Sequence, residues 1–277
     1  MSQTGDDPKA DLLVRARAAM LDALDALAEQ RQAVVVIGAQ AVYLRTGSAG
    51  FALAETTKDS DLAIDPRELR DFPRLEEAMR QAGFLPSPDN QPGSWVNADG
   101  IPVDLMVPEA LAGGGGAQAR GARIPPHSKR AARRARGLEA ALVDHSAMDV
   151  AALEPSDPRH HSVAVAGSAA LLVAKAHKLG ERLTVPHRLN DKDAHDSYRI
   201  LRAIPTAELA ATLRGLTDNP ISADATIEAI EYLRSLFSTA DAVGSVMAGR
   251  AEIAVGDPAQ VAVATSILAN DLLDALV

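Results

Sequence analysis

TTKDSDLAID, residues 56–65, places two aspartates one residue apart and then continues into an apolar run. This pattern predicts a strand over residues 59–65 that carries both carboxylates near its beginning. Side chains at i and i+2 of a strand point to the same face, so Asp59 and Asp61 are expected to project together. A divalent cation would relieve their repulsion, and oxygen ligands suit Mg²⁺ or Mn²⁺. A loop residue that caps a helix is the alternative explanation.

The segments around this stretch alternate between strand and helix patterns, which predicts a mixed α/β domain over residues 1–160. Asp99-Gly100 is the dipeptide expected at the tip of a hairpin. The predicted elements are a helix at 10–29, a strand at 33–37, a helix that starts over 38–44, a helix at 66–82 and a hairpin at 95–107.

From about residue 165 the strand patterns give way to helical ones, which predicts a second, α-helical domain over residues 161–277 that completes the active-site cleft. The predicted helices of this domain lie at 166–183, 193–204, 206–216, 227–237 and 260–276.

A third carboxylate stands in a place that matches the first two. Asp104, in IPVDLMV, lies among apolar residues of the predicted hairpin, where an unpaired charge is costly. If this strand lies beside the strand at 59–65, three carboxylates meet at one end of a sheet and could hold two metal ions. Such an arrangement indicates a nucleotide substrate, and Gly38 would then offer backbone N–H groups to its phosphates.

Composition limits the classes of protein. The chain has 277 residues, a formal charge of -9 and no cysteine, so disulfides and thiolate metal sites are excluded. No apolar run is as long as a membrane span, and we expect a soluble cytoplasmic protein. One segment departs from the acidic average, because residues 120–136 contain seven Lys or Arg. This basic segment either binds an RNA backbone or is a solvated loop.

A second set of charges follows in the helical part. Lys175, Lys178 and Arg182 fall at i, i+3 and i+7 and would share one helix face. Asp193 and Asp196 on the next predicted helix could pair with that face. The set would clamp a triphosphate while Asp193 orients an attacking hydroxyl, and a solvated stripe is the alternative.

Together these residues resemble the polymerase-beta-like nucleotidyltransferase fold, over roughly residues 33–203. The resemblance rests on an apolar strand, then Gly38-Ala39, then T-x-D-x-D-L at residues 57–62, then a strand with Asp104. The helical part is similar to AbiEii-type toxins, including the MenT group, through the pattern K…R…KD…D. The chain departs from that family at Ala39, where glycine or serine is usual, and at Glu55, where an arginine is usual. The residues of the second pattern are Lys175, Lys178, Arg182, Lys192, Asp193 and Asp196.

The resemblance implies a metal-dependent nucleotidyltransferase, the toxin of a toxin–antitoxin pair, which transfers nucleotides from NTP to the 3′ acceptor end of tRNA and so blocks translation. Its expected partners are Mg²⁺ or Mn²⁺, NTP, tRNA and a cognate antitoxin, in the cytoplasm; a monomer is one option, and the sequence leaves the oligomeric state open. It implies catalytic roles for Asp59, Asp61, Lys175 and Asp193, and metal binding by Asp59, Asp61 and Asp104. It implies nucleotide contacts by Gly38, Ala39, Thr57, Lys58, Lys178 and Arg182.

Two other function classes stay open at this stage. A transferase of the same fold could act on a small molecule such as an aminoglycoside, or on a protein hydroxyl. A non-catalytic module could instead use the lysine face to bind a protein, with the aspartates serving as caps. Binding of an RNA acceptor should depend on the basic segment, whereas binding of a small-molecule acceptor should not, and this difference would separate the two classes.

Overall fold

The computed structural model describes residues 8–47, 59–115, 119–185, 187, 189–253 and 256–277. These residues form a mixed α/β fold in which a sheet precedes a run of helices. The predicted α/β class and the predicted change to helices after about residue 165 are both confirmed.

One mixed sheet contains the eight strands found among the described residues. They are β1 (Val34–Ile37), β2 (Ser60–Ile64), β3 (Leu85–Pro86), β4 (Ser94–Val96), β5 (Pro102–Pro108), β6 (Arg133–Ala135), β7 (His145–Ala151) and β8 (His160–Ala166). Their order across the sheet is β3-β4-β5-β2-β1-β8-β7, and β6 pairs with β5 beside this path. The strands β3, β6, β7 and β8 were not predicted.

The register of the central strands brings distant residues together. β1 runs antiparallel to β2, and β2 runs parallel to β5. All four residues of β1 are buried, so both faces of this strand are covered and it needs no polar alternation. β4 and β5 form an antiparallel hairpin in which Ser94 pairs with Asp104. The predicted hairpin is confirmed, and Gly100 in its turn has a φ of +72°.

Nine α-helices lie among the described residues. They are α1 (Pro8–Ala26), α2 (Gly38–Thr46), α3 (Leu75–Gln81), α4 (Ser168–Gly180), α5 (Asp191–Ala203), α6 (Thr206–Asp218), α7 (Ala223–Phe237), α8 (Val243–Arg250) and α9 (Pro258–Ala275). Every helix predicted after residue 165 has a counterpart in this series. The short helix α8 was not predicted.

One predicted helix is mostly wrong. The pattern over residues 66–82 predicted a single helix, but α3 begins only at Leu75. Pro73 lies inside the predicted range, and a proline within a helix removes a hydrogen bond and collides with the preceding turn. The residues before it form turns and bends instead.

The chain divides into two units, and each is interrupted in sequence. The sheet unit takes its described residues from 1–40, 55–135 and 146–165, and the helical unit takes them from 41–54, 136–145 and 166–277. The boundary predicted at residue 160 falls at the first residue of β8.

Within the helical unit, α4 packs against α5 and α7, and α8 packs against α5 and α9. A short 3-10 segment, Glu139–Leu142, also packs on α4. Asp144 caps α4 from a distant part of the sequence, because its Oδ2 accepts a hydrogen bond of 2.9 Å from Ala170 N. In the described ranges, no helix is both long and apolar enough to cross a membrane.

Candidate functional site

Asp61 and Asp104 are direct neighbours on the parallel strands β2 and β5. Residues paired in this way present their side chains to the same face of a sheet. Asp59 comes immediately before β2, two residues from Asp61. The condition that the strand of Asp104 lies beside the strand of Asp61 is met. We refer to Asp59, Asp61 and Asp104 as the carboxylate edge.

The first residue of α2 lies against the Asp61 carboxylate. Ile37, the last residue of β1, pairs with Asp61, so the register brings the following Gly38 to this carboxylate. Gly38 has a φ of +69°, and a Cβ there would lie 2.1 Å from Asp61 Oδ2. Only glycine adopts this φ without strain and also leaves room for the Asp61 carboxylate. The N–H groups of the first helical turn have no acceptor within the helix, and a helix N-terminus favours a phosphate.

A guanidinium group contacts the other side of the carboxylate edge. Arg133 Nη2 donates to Asp104 Oδ2 at 2.9 Å, and β6 pairs with β5 so that Arg133 lies opposite Met106. The Nε of Arg133 is buried and has no hydrogen-bond partner among the described residues. Arg133 was predicted to be part of a basic RNA-binding segment, whereas the structure places it on Asp104.

The carboxylate edge fits a divalent cation in its chemistry, because Mg²⁺ and Mn²⁺ take oxygen ligands of this kind. The described residues contain no group of three or more His, Asp or Glu side chains gathered closely enough to hold an ion. Part of the reason is visible at Asp104, whose Oδ2 is directed to Arg133. The metal role of the three aspartates therefore stays a prediction.

A cavity of about 460 Å³ opens beside the carboxylate edge, and Asp59 and Asp104 form part of its wall. The remaining wall comes from residues 87–91, from β4 and from the hairpin turn before β5. No basic or aromatic side chain is found among the described residues that line it. We call it the acidic cavity, and its polar lining consists of Asp59, Ser87, Asp89, Gln91, Ser94 and Asp104.

Hydrogen bonds fix the loop that carries Asp89 into this wall. Asp89 Oδ1 accepts from Gln91 N at 3.2 Å, and its Oδ2 accepts from Gln91 Nε2 at 2.9 Å. The backbone N–H of Gln91 is the main cause that holds the pKa of Asp89 below its ordinary value. Arg130 Nη2 donates to both oxygens of Asn90, at 2.9 Å for the backbone oxygen. Gly93 N donates to Arg130 O at 2.9 Å.

Much of the predicted RNA-binding segment is engaged in internal contacts. Arg130 and Arg133 hold the contacts described above. Arg134 Nη2 lies 4.0 Å from Glu109 Oε1, and Arg136 Nη2 lies 2.5 Å from Glu228 Oε2. The exposed cations of the segment that make neither an ion pair nor a side-chain hydrogen bond among the described residues are Arg120, Arg123 and Lys129.

The predicted triphosphate clamp is a buried ion network in the helical unit. Lys175 on α4 is only 5% exposed. Its Nζ donates to Asp193 Oδ1 at 2.9 Å and to Asp196 Oδ2 at 2.6 Å. The predicted pairing of these charges between α4 and α5 is confirmed. Lys175 itself does not lie on an open cationic face.

Two further cations share Asp193 with Lys175. Lys178 Nζ lies 3.0 Å from Asp193 Oδ1, and Arg182 Nη1 lies 3.5 Å from its Oδ2. The Lys178 side chain is 42% exposed and that of Arg182 is 27% exposed. An anion in solvent would therefore meet these two cations, whereas Lys175 is enclosed.

The buried charges stabilise one another in the ionised state. Burial would lower the pKa of Lys175, but the charges of Asp193 and Asp196 outweigh it and raise the pKa above its ordinary value. Burial would likewise raise the pKa of Asp193, but Lys175 and Lys178 outweigh it and hold the pKa well below its usual range. Lys175 therefore acts as a fixed charge and not as a proton donor near neutral pH.

The remaining nucleotide contacts stay predictions, and two contacts were not predicted. Thr57 and Lys58 lie outside the described residues. Ala39 is buried in the first turn of α2, where its backbone remains the part that could meet a phosphate. The contacts of Arg133 and Asp89 were missed. The composition of Ser87-Pro88-Asp89-Asn90 is typical of a turn and could have drawn attention to this loop.

Comparisons with known proteins leave this geometry without a relative. No protein-family model matches the chain, no curated protein matches its sequence, and no solved structure matches its fold.

Proposed function

We propose that this chain is a metal-dependent nucleotidyltransferase that acts from the carboxylate edge. The proposal is carried by one observation, the register that sets Asp61 beside Asp104 and brings Gly38 under the Asp61 carboxylate. A phosphate-binding helix start and adjacent carboxylates are the two features that in-line phosphoryl chemistry requires of a protein. We further propose the polymerase-beta-like arrangement as the specific fold.

The residues divide the chemistry between them. Asp59, Asp61 and Asp104 would hold a divalent cation, which supplies charge neutralisation at the phosphates when bound. The backbone N–H groups at Gly38 and Ala39 would bind the phosphates of the NTP. The oxygen of an acceptor hydroxyl would attack the α-phosphorus and lose its proton to solvent, while the bond to the oxygen that bridges to the β-phosphate breaks and pyrophosphate leaves. Arg133 orients Asp104 through the hydrogen bond to its Oδ2.

The ion network of Lys175 has a positioning role in this proposal. Its two ion pairs tie α4 to α5 and fix Asp193 in place. Lys178 and Arg182 are the cations of this cluster that an anion in solvent could reach, because both side chains are partly exposed. Asp193 would act by holding these cations together.

The proposed acceptor is RNA, with the 3′ end of tRNA as the specific case that the sequence resemblance implies. Exposed Arg120, Arg123 and Lys129 support it, because unpaired surface cations attract a phosphate backbone. A toxin role with a cognate antitoxin belongs to the same proposal and has its support in the resemblance alone.

One observation favours a second candidate, a transferase that modifies a small hydroxylated cation such as an aminoglycoside. The acidic cavity beside the carboxylate edge offers three carboxylates and, among the described residues that line it, no cation. Such a lining attracts an amino sugar and repels a free phosphate group.

A transfer assay tests both candidates. The purified chain is incubated with each labelled NTP and Mg²⁺, together with either total RNA or a set of aminoglycosides. We expect label in RNA, and we expect Asp61→Asn to reduce the rate by at least about a hundredfold because a metal ligand is lost.

Glu68→Gln is the matched control, because it removes an exposed carboxylate of the sheet unit away from the carboxylate edge. It should keep the parental rate. Label that enters only aminoglycosides would favour the second candidate. A fully active Asp61→Asn protein, or no label in any acceptor, would overturn the proposal.

A further inference from the structure

The acidic cavity has the lining of a carbohydrate site. Its volume of about 460 Å³ lies within the range of about 300 to 1,000 Å³ found for small-ligand pockets. Aromatic side chains, on which a nucleobase would stack, do not occur among the described residues of its wall. Lys and Arg do not occur among the described residues of the wall, and the nearby Arg133 is paired with Asp104, so a polyphosphate would meet mainly like charge. A sugar ring that carries hydroxyl groups suits this wall better than a base or a phosphate.

The carboxylates of the wall match a pair of neighbouring hydroxyls. An ionised carboxylate has about four acceptor sites, and hydrogen bonds to it are stronger than those between neutral groups. Asp89 accepts from Gln91 on each oxygen and also from the Ser87 hydroxyl, so a ligand with two hydroxyls would take the place of Ser87 on this carboxylate. The lowered pKa of Asp89 keeps it ionised at neutral pH, so it can only accept. Vicinal hydroxyls provide two donors at the spacing of one carboxylate.

The wall is already held in place. Asp89 is bonded to Gln91 on both oxygens, and Arg130 holds the neighbouring Asn90 by its backbone and side-chain oxygens. Ser87 N also donates to Ser94 O at 2.8 Å, which closes the loop onto β4. A site fixed in this way loses little conformational freedom when a ligand binds. Arg130 is therefore a positioning residue of the cavity.

We propose that the acidic cavity is the acceptor subsite and that it binds the vicinal hydroxyls of a sugar ring. The inference rests on the proposed function, because Asp59 and Asp104 belong both to the cavity wall and to the carboxylate edge. A hydroxyl held in the cavity is thereby placed beside the carboxylates at which transfer is proposed. The NTP phosphates bind at Gly38, which is not part of the cavity wall.

Vicinal hydroxyls could come from the 3′-terminal ribose of an RNA or from a free amino sugar. The probes are therefore a ribotrinucleotide with an intact terminal ribose, the same trinucleotide with a 2′,3′-dideoxy end, and an aminoglycoside. Each is titrated into the ¹⁵N-labelled full chain without NTP or metal, and amide resonances are followed. We expect a hydroxyl-bearing probe to shift the amides of Gln91, Ser94 and Gly100.

Asp89→Asn is the diagnostic variant. Asparagine keeps an oxygen acceptor for Gln91 N, so the turn survives, but the charge is lost. We expect it to weaken binding of the hydroxyl-bearing probe by about tenfold, the effect of losing hydrogen bonds to a charged group. Asp157→Asn is the matched control, since Asp157 Oδ1 also accepts from a backbone N–H two residues ahead, at 3.0 Å, and lies outside the cavity.

The outcomes separate the sources and the two proposals. Binding of the ribose-ended probe alone assigns the site to RNA ends, and binding of the aminoglycoside alone assigns it to free sugars. Equal binding of the dideoxy probe, shifts confined to other residues, or no effect of Asp89→Asn would overturn the inference. A separate Mg²⁺–NTP titration tests the donor side. If NTP binds and no sugar does, only this inference fails. If sugar binds and NTP does not, the proposed function fails.

Discussion

Gly38 is the residue on which the geometry of the carboxylate edge depends most directly. We expect Gly38→Ala to lower the free energy of unfolding by at least about 2 kcal/mol, because it adds left-handed strain to a steric overlap with the Asp61 carboxylate. Urea unfolding followed by circular dichroism measures this change.

Gly83 provides the control for that substitution. Its φ is +85°, but a Cβ there would meet nothing within 4 Å. Gly83→Ala should therefore cost only the backbone strain, about 1 kcal/mol. Equal losses in the two variants would show that the contact between Gly38 and Asp61 has no energetic weight.

Lys175 is predicted to be essential to folding as well as to activity. Lys175→Met leaves Asp193 and Asp196 buried with less compensation, and breaking a buried ion pair typically costs about 3 to 5 kcal/mol. The thermal midpoint of Lys175→Met should fall by about 6 to 20 degrees, or the protein should fail to fold. Differential scanning calorimetry measures the midpoint.

Lys178→Met is the comparison for Lys175→Met. It removes the same charge from the same helix and the same aspartate, but from a side chain that is 42% exposed. Its cost should stay below about 1 kcal/mol, as for other solvent-exposed ion pairs. A Lys175→Met protein as stable as the parent would contradict the view that Lys175 is a structural counter-ion.

At the scale of elements, the segment of residues 120–136 divides into internal and exposed cations. Replacing Arg120, Arg123 and Lys129 with Gln should reduce the slope of log K against log salt for RNA binding by about 0.7 per lost phosphate contact. The free energy of unfolding should change by less than about 0.5 kcal/mol, because these cations make no ion pair among the described residues. Filter binding at several salt concentrations measures the slope.

Arg70→Gln with Arg80→Gln is the control, because it removes exposed positive charge of the sheet unit elsewhere. It should leave the slope unchanged. If the triple variant also keeps the parental slope, the acceptor RNA does not contact this segment. Arg130 and Arg133 are unsuitable for this test, because both are tied to the candidate site.

The start of α3 provides a pH-dependent element. His127 is buried, and its Nδ1 accepts a hydrogen bond of 3.1 Å from Leu75 N. Burial lowers the pKa of His127, and this effect outweighs the nearby carboxylates of Glu76 and Asp71. In the unfolded chain His127 has the ordinary histidine pKa of about 6.5, so below that pH the unfolded chain takes up a proton before the folded protein does. The contribution of His127 to the free energy of unfolding is therefore present above about pH 6.5 and is lost as the pH falls toward the folded pKa.

Replacement of His127 checks this pH dependence. His127→Gln should flatten the loss of unfolding free energy below about pH 6.5, whereas His160→Gln should not, because His160 is 67% exposed. Urea unfolding at a series of pH values gives the comparison. An unchanged pH profile in His127→Gln would contradict the assignment.

A comparison of individual strands and helices shows why sequence patterns predict some structure and not the rest. The apolar run of β1 and the Asp-Gly turn of the hairpin are local signals, and both gave correct elements. Arg133 meets Asp104 only because β6 pairs with β5, and a strand of three residues carries almost no periodic signal. α3 was predicted too long because helical spacing was followed across Pro73.

At the scale of the whole molecule, the sequence predicted the positions of the candidate site's aspartates better than the surroundings of its lysines and arginines. Asp61 and Asp104 were found because two like charges among apolar residues are costly and therefore noticeable. The exposure of Lys175 could not be read from helical spacing, since i, i+3 and i+7 define a face but not what covers it. Its cover comes from α5, a separate helix.

The interrupted course of the chain leads to a prediction about its parts. A fragment of residues 161–277 lacks Asp144, which caps α4, and Glu139–Leu142, which packs on it. We expect fewer residues of this fragment to be helical than the number that α4–α9 contain in the full chain. A fragment of residues 136–277 should have a higher helical fraction than the fragment of residues 161–277. Far-ultraviolet circular dichroism of the two measures the difference, and equal helicity per residue would contradict it.

The cap that Asp144 places on α4 also bears on how such a gene could be rearranged. A recombination junction near codon 160 would place a foreign sequence before α4. It would remove Asp144, whose carboxylate accepts a hydrogen bond from the first turn of that helix. Exchange at that point would therefore yield chimeras with a weakened helix at the position of Lys175. Tolerated junctions are expected upstream of codon 136, so Asp144, α4 and the helices that follow should be inherited together.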